Sequence, residues 1–278
     1  MSDGVSTGLA ALDTFLKGGL PKGFTTLLLA PVGSGSEIFA KQFAQGHARE
    51  RGLFVTTDES ANEVDGAVRA AKWDFSGVQI VDLQSDFAEA MMEAQQKQMD
   101  RPKDANAPAP ARRGFDPRDL VEGTSSNDLL KRPTPGWGSG DLPAPAVTSR
   151  TDYLGRLLEP YSKLRTPDRV VIHSLDFFLN LYPVDQVVSA LTALKAANSK
   201  NGGLLLLVLS KGAHGATTER RMELLADCLI ELEVTRKGTT FERFFMVKKV
   251  KNRTVGIGVS TYEVKPDGFQ LETLERIV

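Results

Sequence analysis

With one cysteine, Cys228, in 278 residues, the chain has no intramolecular disulfide and no thiolate-based zinc site to build. A lone cysteine also suits a reducing compartment. Long hydrophobic runs are missing, since no stretch approaches the roughly 18 apolar residues of a membrane span. Met1 to Leu12 lacks the basic start and apolar centre of a secretion signal, so a cytoplasmic location without membrane attachment is expected. Excess charge of either sign is absent too: 34 Lys and Arg face 35 Asp and Glu, for a net charge of -1. That balance gives no global pull toward nucleic acid, an unlikely class of partner on this ground, and leaves only local basic patches to consider.

What is present is an alternation of apolar runs and amphipathic segments. Phe24 to Ala30 is a near-continuous apolar and β-branched run, as in a parallel strand buried on both faces. Ser36 to Arg51 reads as a helix. Gly52 to Thr57 is a second strand ending in Asp58, Glu59 and Ser60, and Ala61 to Trp73 a second such helix. Val78 to Leu83, Arg169 to Leu175 and Gly203 to Ser210 complete the strands of an α/β sheet, the last being the most apolar and therefore central. Helices are expected over 87–99, 151–164 and 185–199. Cys228–Thr235, Glu242–Val250, Gly258–Val264 and Gly268–Leu271 read as successive strands joined by turns such as Lys237-Gly238 and Pro266-Asp267-Gly268. The economical architecture is a single domain over 1–278, with a mostly parallel sheet flanked by helices and antiparallel edge strands at its C-terminal end.

Residues 100–149 interrupt this pattern with proline, glycine, serine and mixed charge. Such a stretch buries too little apolar surface to offset an ordering cost of roughly 1–2 kcal/mol per residue. It is expected to be an insertion, disordered when free. As a surface loop it needs no role; as a tethered partner-binding segment it offers Phe115, Leu120, Leu129, Leu130 and Trp137 as apolar anchors.

Between the first strand and the helix after it stands Ala30-Pro31-Val32-Gly33-Ser34-Gly35-Ser36-Glu37. Strand, glycine turn and helix start make up a phosphate-binding loop, which in working form reads Gly-x-x-x-x-Gly-Lys-Ser/Thr. Here Ser36 occupies the lysine position and Glu37 that of the magnesium-binding hydroxyl.

The opening Ser6-Thr7-Gly8-Leu9-x-x-Leu12-Asp13-x-x-Leu16-x-x-Gly19-Leu20-Pro21-x-Gly23 resembles that of the KaiC-like and RadA-like branch of the RecA-fold P-loop ATPases. The similarity continues through Val55 to Ser60, Arg169 to Leu175 and Leu225-Ala226-Asp227 into the terminal strands. The resemblance implies a RecA-like fold, ATP held between neighbouring subunits of a ring or filament, and homo- or hetero-oligomers with related subunits. It also implies roles for particular positions. Gly33, Ser34, Gly35, Ser36 and Glu37 form the phosphate loop, and His173 stands where a strand-end aspartate would help hold magnesium. Asp58 and Glu59 stand at the water-polarising position, and Lys249 and Lys251, with Arg253 nearby, correspond to basic residues that reach a neighbour's site.

The departures weaken that site. Removing the lysine deletes a cation, and a carboxylate about 4 Å from a phosphate oxygen is repulsive by about 4 kcal/mol at an effective dielectric of about 20. Histidine lacks the hard anionic oxygen that magnesium prefers. ATP with magnesium is thus at best a weak ligand, and no cofactor or metal is assigned. The expected function is that of a regulatory or scaffolding subunit that has lost ATP hydrolysis. The alternatives are a weak ATPase, with Lys22, Lys41 or a neighbour's lysine supplying the charge, and a nucleic-acid-binding recombinase paralogue.

Ser34 and Glu37 also fit a capping box, in which the serine oxygen and the glutamate cap the helix start reciprocally. This predicts a loop filled by its own side chain. His173 is expected to be a satisfied strand-end histidine, since imidazole or thiolate co-ligands are lacking. His214 is expected to be an exposed loop residue. Lys248 to Arg253 is the densest basic run and lacks interleaved aromatics for stacking on bases.

Overall fold

The strand before the loop alternates its side chains between two cores. Leu28 and Ala30 face one, built around Phe39, Phe43, Phe54 and Phe245, while Leu27 and Leu29 face the other, built around Leu175, Phe178, Leu191 and Leu207. Period-two alternation in a run with no polar face is what a central strand requires. The computed structural model describes residues 4–45, 50–99, 117–121, 151–162, 167–252, 257–273 and 275–277.

In chain order the elements are β1 (Gly4–Val5), α1 (Ala10–Phe15), β2 (Leu20–Pro21), β3 (Thr25–Ala30), α2 (Ser36–Gln45), β4 (Gly52–Thr56), α3 (Ala61–Ala70), β5 (Val78–Asp82) and α4 (Leu83–Met99). A 3-10 turn (Pro117–Leu120) precedes α5 (Tyr153–Ser162), β6 (Arg169–His173), α6 (Asp176–Leu181), α7 (Val184–Asn201), β7 (Leu204–Ser210) and α8 (Ala216–Leu225). The end of the chain is β8 (Cys228–Lys237), β9 (Thr240–Val250), β10 (Ile257–Lys265), β11 (Gly268–Leu271) and β12 (Glu275–Ile277). The main sheet runs β11-β10-β9-β8-β3-β7-β6-β4-β5, with β12 paired to β10, and β1 and β2 form a separate ribbon. Strands from β8 to β5 along this order are parallel, and β9, β10, β11 and β12 are antiparallel to their partners. This is the RecA-like arrangement expected, with β7 inside the parallel set. No helix among the described residues is long and apolar enough to cross a membrane.

The opening motif is held by polar contacts that its apolar periodicity does not reveal. Asp13 Oδ1 accepts from both the backbone N–H and the hydroxyl of Thr7, each at 2.7 Å. Arg169, 1% exposed at the start of β6, donates to the carbonyls of Ser6 and Phe43 and to Glu50, tying the N-terminal segment and α2 to the sheet. At the start of β3, Asp227 Oδ2 accepts from Thr25 N–H, and Asp227 Oδ1 from Lys195.

Several expectations shift. Helix α4 begins directly after β5 instead of at residue 87, and α6, only six residues long, was not anticipated. Most of 100–149 lies outside the described residues, including Phe115, Leu129, Leu130 and Trp137. Within it, however, Val121 is fully buried, bridges to Thr151 and joins the second core, while Arg118 donates to the carbonyl of Asn180. Residues 117–121 are thus docked on the body, where apolar burial offsets their ordering.

Candidate functional site

The loop leaves β3 at Ala30 and enters α2 at Ser36, with Gly33 at φ 78° and Gly35 at φ 83°. Glycine adopts these left-handed angles without the penalty other residues incur. The N–H groups of Ile38 and Phe39 both donate to the carbonyl of Gly35 at 3.1 Å, which makes Gly35 the residue capping the helix. The expected Ser34/Glu37 capping box therefore does not form. Its spacing requires the helix to begin one residue earlier, and Ser34 Oγ is buried without a hydrogen-bond partner.

Tertiary contacts account for the displaced start. The Tyr262 hydroxyl donates to the carbonyl of Ser34 at 2.7 Å, and Val264 Cγ2 lies 2.5 Å from where a Cβ on Gly35 would be. Burial, its largest influence, pushes the Tyr262 hydroxyl up to about 12, so it remains a donor at neutral pH. As a result the N–H groups of Ser36 and Glu37 find no acceptor among the described residues. The capping box that does form is Ser60/Glu63, at the start of α3, with Ser60 N–H to Glu63 Oε2 at 2.7 Å and Glu63 N–H to Ser60 Oγ at 3.3 Å.

The turn after β4 carries the two candidate carboxylates. Glu59 meets Lys41 of α2 with Oε2 at 2.6 Å and Oε1 at 2.8 Å from Nζ, and the Lys41 side chain is 2% exposed. Lys41 is thus committed to Glu59 and does not replace the missing loop lysine. Lys22 precedes β3, whereas the loop follows that strand, so it does not replace the lysine either. Asp58 Oδ1 lies 2.8 Å from Nδ1 of His173, whose ring is stacked 6.5 Å from that of Phe54. His173 is satisfied on one nitrogen, as expected, while Nε2 has no hydrogen-bond partner among the described residues. Those residues hold no group of three or more His, Cys, Asp and Glu placed to bind a metal ion.

Beside this pair lies a second acid–histidine contact that sequence reasoning missed. Asp176 Oδ2 accepts from the Ser174 and Ser210 hydroxyls at 2.8 Å and from Ser210 N–H at 3.2 Å, while Oδ1 is 2.8 Å from His214 Nε2. His214 is consequently not an exposed loop residue; its side chain is 13% exposed. No periodicity signals a pairing between residues 38 positions apart, which depends on β6 and β7 being neighbours in the sheet.

The basic run lies elsewhere. Lys249 and Lys251 flank the β9 end that pairs with the start of β8, beside the first residues of β3 and away from the loop. Lys249 donates to the carbonyls of Glu223 and Ala226 at the end of α8, where an ammonium group complements the helix dipole. It therefore turns back on its own chain instead of projecting as a free cation. Lys251 is 56% exposed and 3.6 Å from Asp227, and Arg253 lies outside the described residues. Lys248 pairs with the buried Glu231, which also receives Lys211. Burial opposes the charge on Glu231, but the two ammonium groups outweigh it and hold its carboxyl below the usual range.

Gly33, Ser36, Glu37, Asp58, Glu59 and His173 share one cleft of about 270 Å³, floored by the ends of β3, β6 and β7. Three carboxylates around it, against one buried ammonium and one imidazole, give it an acidic lining at neutral pH.

Residues 5–109 match the model of a family described as "ATPase: KaiC". A segment of 73 residues is 38% identical to the UPF0273 protein MK0039 of Methanopyrus kandleri, covering 26% of this chain and 29% of that protein's length. Among solved structures, the KaiC-like protein PH0186 of Pyrococcus horikoshii OT3 superposes with a TM-score of 0.61 at 19% identity, over 98% of this chain and 100% of that one. The similarity to PH0186 extends over the whole architecture, including the antiparallel strands beyond the family match.

Proposed function

We propose that the chain is a KaiC-like member of the RecA-fold P-loop ATPases, a subunit that does not hydrolyse ATP and acts in regulation or scaffolding, by self-association or by docking with related subunits. The observation that carries this reading is the Lys41–Glu59 ion pair. Both oxygens of the Glu59 carboxylate lie within 2.8 Å of the buried Lys41 ammonium group, so the side chain is held toward α2 instead of being free to orient a water molecule. Ser36, Glu37 and His173 add the loss of three groups that would neutralise or hold magnesium triphosphate.

In a self-associated form Lys251, 56% exposed at the end of the sheet away from its own loop, is available to a neighbouring subunit. Mass-calibrated size exclusion with and without Mg-ATP, run beside a phosphate-release assay, tests the proposal. An assembly state indifferent to nucleotide and phosphate release at the buffer rate are expected. Magnesium-dependent turnover that disappears in Glu59→Gln would sink it.

A second reading, in which the site still binds an anionic ligand weakly without hydrolysing it, is favoured by the unfilled loop. Left-handed Gly33 and Gly35 and the unaccepted N–H groups of Ser36 and Glu37 keep the backbone of an anion cradle. Nucleic-acid binding has less support, since Lys248 and Lys249 are engaged within the chain.

A further inference from the structure

We propose that the cleft binds a small organic cation, a guanidinium or ammonium group on a short methylene chain, held by the carboxylates of Glu37 and Asp58. The proposal goes beyond the non-hydrolysing reading and rests on it in one respect, because it takes the cleft to be free of magnesium triphosphate.

The lining of the cleft offers acceptors and apolar surface together. Glu37 and Asp58 supply two carboxylates. His173, with a side chain only 6% exposed, supplies a third and independent acceptor. A carboxylate accepts hydrogen bonds and donates none, so the 2.8 Å contact with Asp58 places the hydrogen of the neutral ring on Nδ1. Nε2 then presents a lone pair, and it has no partner among the described residues. A buried acceptor left open in this way calls for an N–H donor. Ala30, Pro31 and Val32, the last 96% exposed, add apolar surface against which a methylene stem packs.

The charges around the cleft decide the sign of the ligand. Glu59 is neutralised by Lys41 of α2. Asp176 does not line the cleft; it lies behind Ser174 and Ser210, accepts from both hydroxyls and faces His214, which is likewise outside the lining. Lys211 is held by Glu231 and Glu233. Arg243 of β9 acts on the Tyr262 hydroxyl with the opposite sign to Glu37, but it neither lines the cleft nor forms an ion pair with Glu37. Two full negative charges therefore remain, on Glu37 and Asp58. Against them stands the start of α2, whose free N–H groups and dipole amount to about half a positive charge. The carboxylates outweigh it, so the cleft attracts a cation and repels an anion.

Agmatine, which carries a guanidinium and an ammonium group on a short methylene chain, is the probe. Its binding to the full chain is measured calorimetrically in EDTA at about pH 8, above the usual titration range of imidazole. Saturable binding of one molecule per chain is expected, and none of sulfate. Glu37→Gln and Asp58→Asn should each weaken agmatine binding at least about tenfold, the effect of one charge-assisted hydrogen bond. Ser36→Lys, which sets a cation in the cleft itself, should abolish binding with both carboxylates in place, and it keeps the test open if either carboxylate variant does not fold. The same chemistry is offered by a free small molecule and by a lysine or arginine side chain of a second copy. Sedimentation velocity with and without agmatine separates these sources: an unchanged assembly assigns the site to a free ligand, and dissociation by agmatine assigns it to a neighbour's side chain. No agmatine binding, affinity unchanged in both carboxylate variants, or tighter binding of sulfate than of agmatine would each overturn the proposal. Failure here leaves the phosphate-release assay untouched, so the two readings fail separately.

Discussion

Lys41 and Glu59, 18 positions apart, form a 2.6 Å ion pair that fastens α2 to the turn after β4 and withdraws both charges from the cleft. Because Glu59 is only 24% exposed, truncating the lysine leaves a partly buried carboxylate unpaired. Lys41→Ala should therefore destabilise the fold by about 3 kcal/mol, at the lower end for a broken buried pair, read as a lower urea midpoint at constant m.

Restoring the loop lysine and hydroxyl tests whether the cradle survives. Ser36→Lys with Glu37→Thr should bring measurable affinity for ADP or ATP in a fluorescence titration. It should leave stability within about 0.5 kcal/mol of the parent, because no capping box is lost. Phosphate release should remain at the buffer rate while Lys41 holds Glu59. A drop in stability of about 1 kcal/mol or more would instead mean that Ser34 and Glu37 cap the helix in solution.

The seat of the loop is open to separate tests. Tyr262→Phe removes one buried hydrogen bond to Ser34 and should cost about 1 kcal/mol, with faster amide exchange at Gly33 to Ser36. Gly35→Ala should cost more, about 2 kcal/mol or above, since it combines a left-handed backbone with a Cβ placed 2.5 Å from Val264.

Glu231 predicts part of the acid sensitivity. Its folded carboxyl is held below its ordinary value of 4.5, so its contribution is fully present above that value and is lost as pH falls through the lower, folded one. Urea midpoints taken from neutral pH downward should therefore fall less steeply below about pH 4.5 in Glu231→Gln than in the parent, at some cost in neutral-pH stability. Parallel profiles would assign the acid limb to other carboxylates.

Asp176→Ala should loosen the segment after β7, because it deletes the acceptor shared by Ser174, Ser210 and His214. A loss of about 2 kcal/mol is expected, with exchange protection falling first in residues 211–215. His214→Ala removes one of those contacts and should reproduce a fraction of the effect.

The sequence by itself determined the alternating elements, the buried character of β3 and β7, the antiparallel end and the glycine turn after β3. Apolar periodicity and turn residues act over a few positions, and Leu27 to Ala30 or Lys237-Gly238 have little choice of local conformation. Tertiary structure alone decided the state of the site. Ser34 and Glu37 have the spacing of a capping box, yet Tyr262, 228 positions from Ser34, and Val264 hold the loop so that α2 starts one residue later. Asp58 and His173 are 115 positions apart and meet because β4 and β6 are neighbours. Strand order brings such residues together, and it is set by packing of the whole chain rather than by the residues around either partner. The motif therefore showed which groups the loop had lost, and only the folded chain showed that Ser34 does not cap the helix, that Glu59 is paired with Lys41 and that Asp58 is paired with His173.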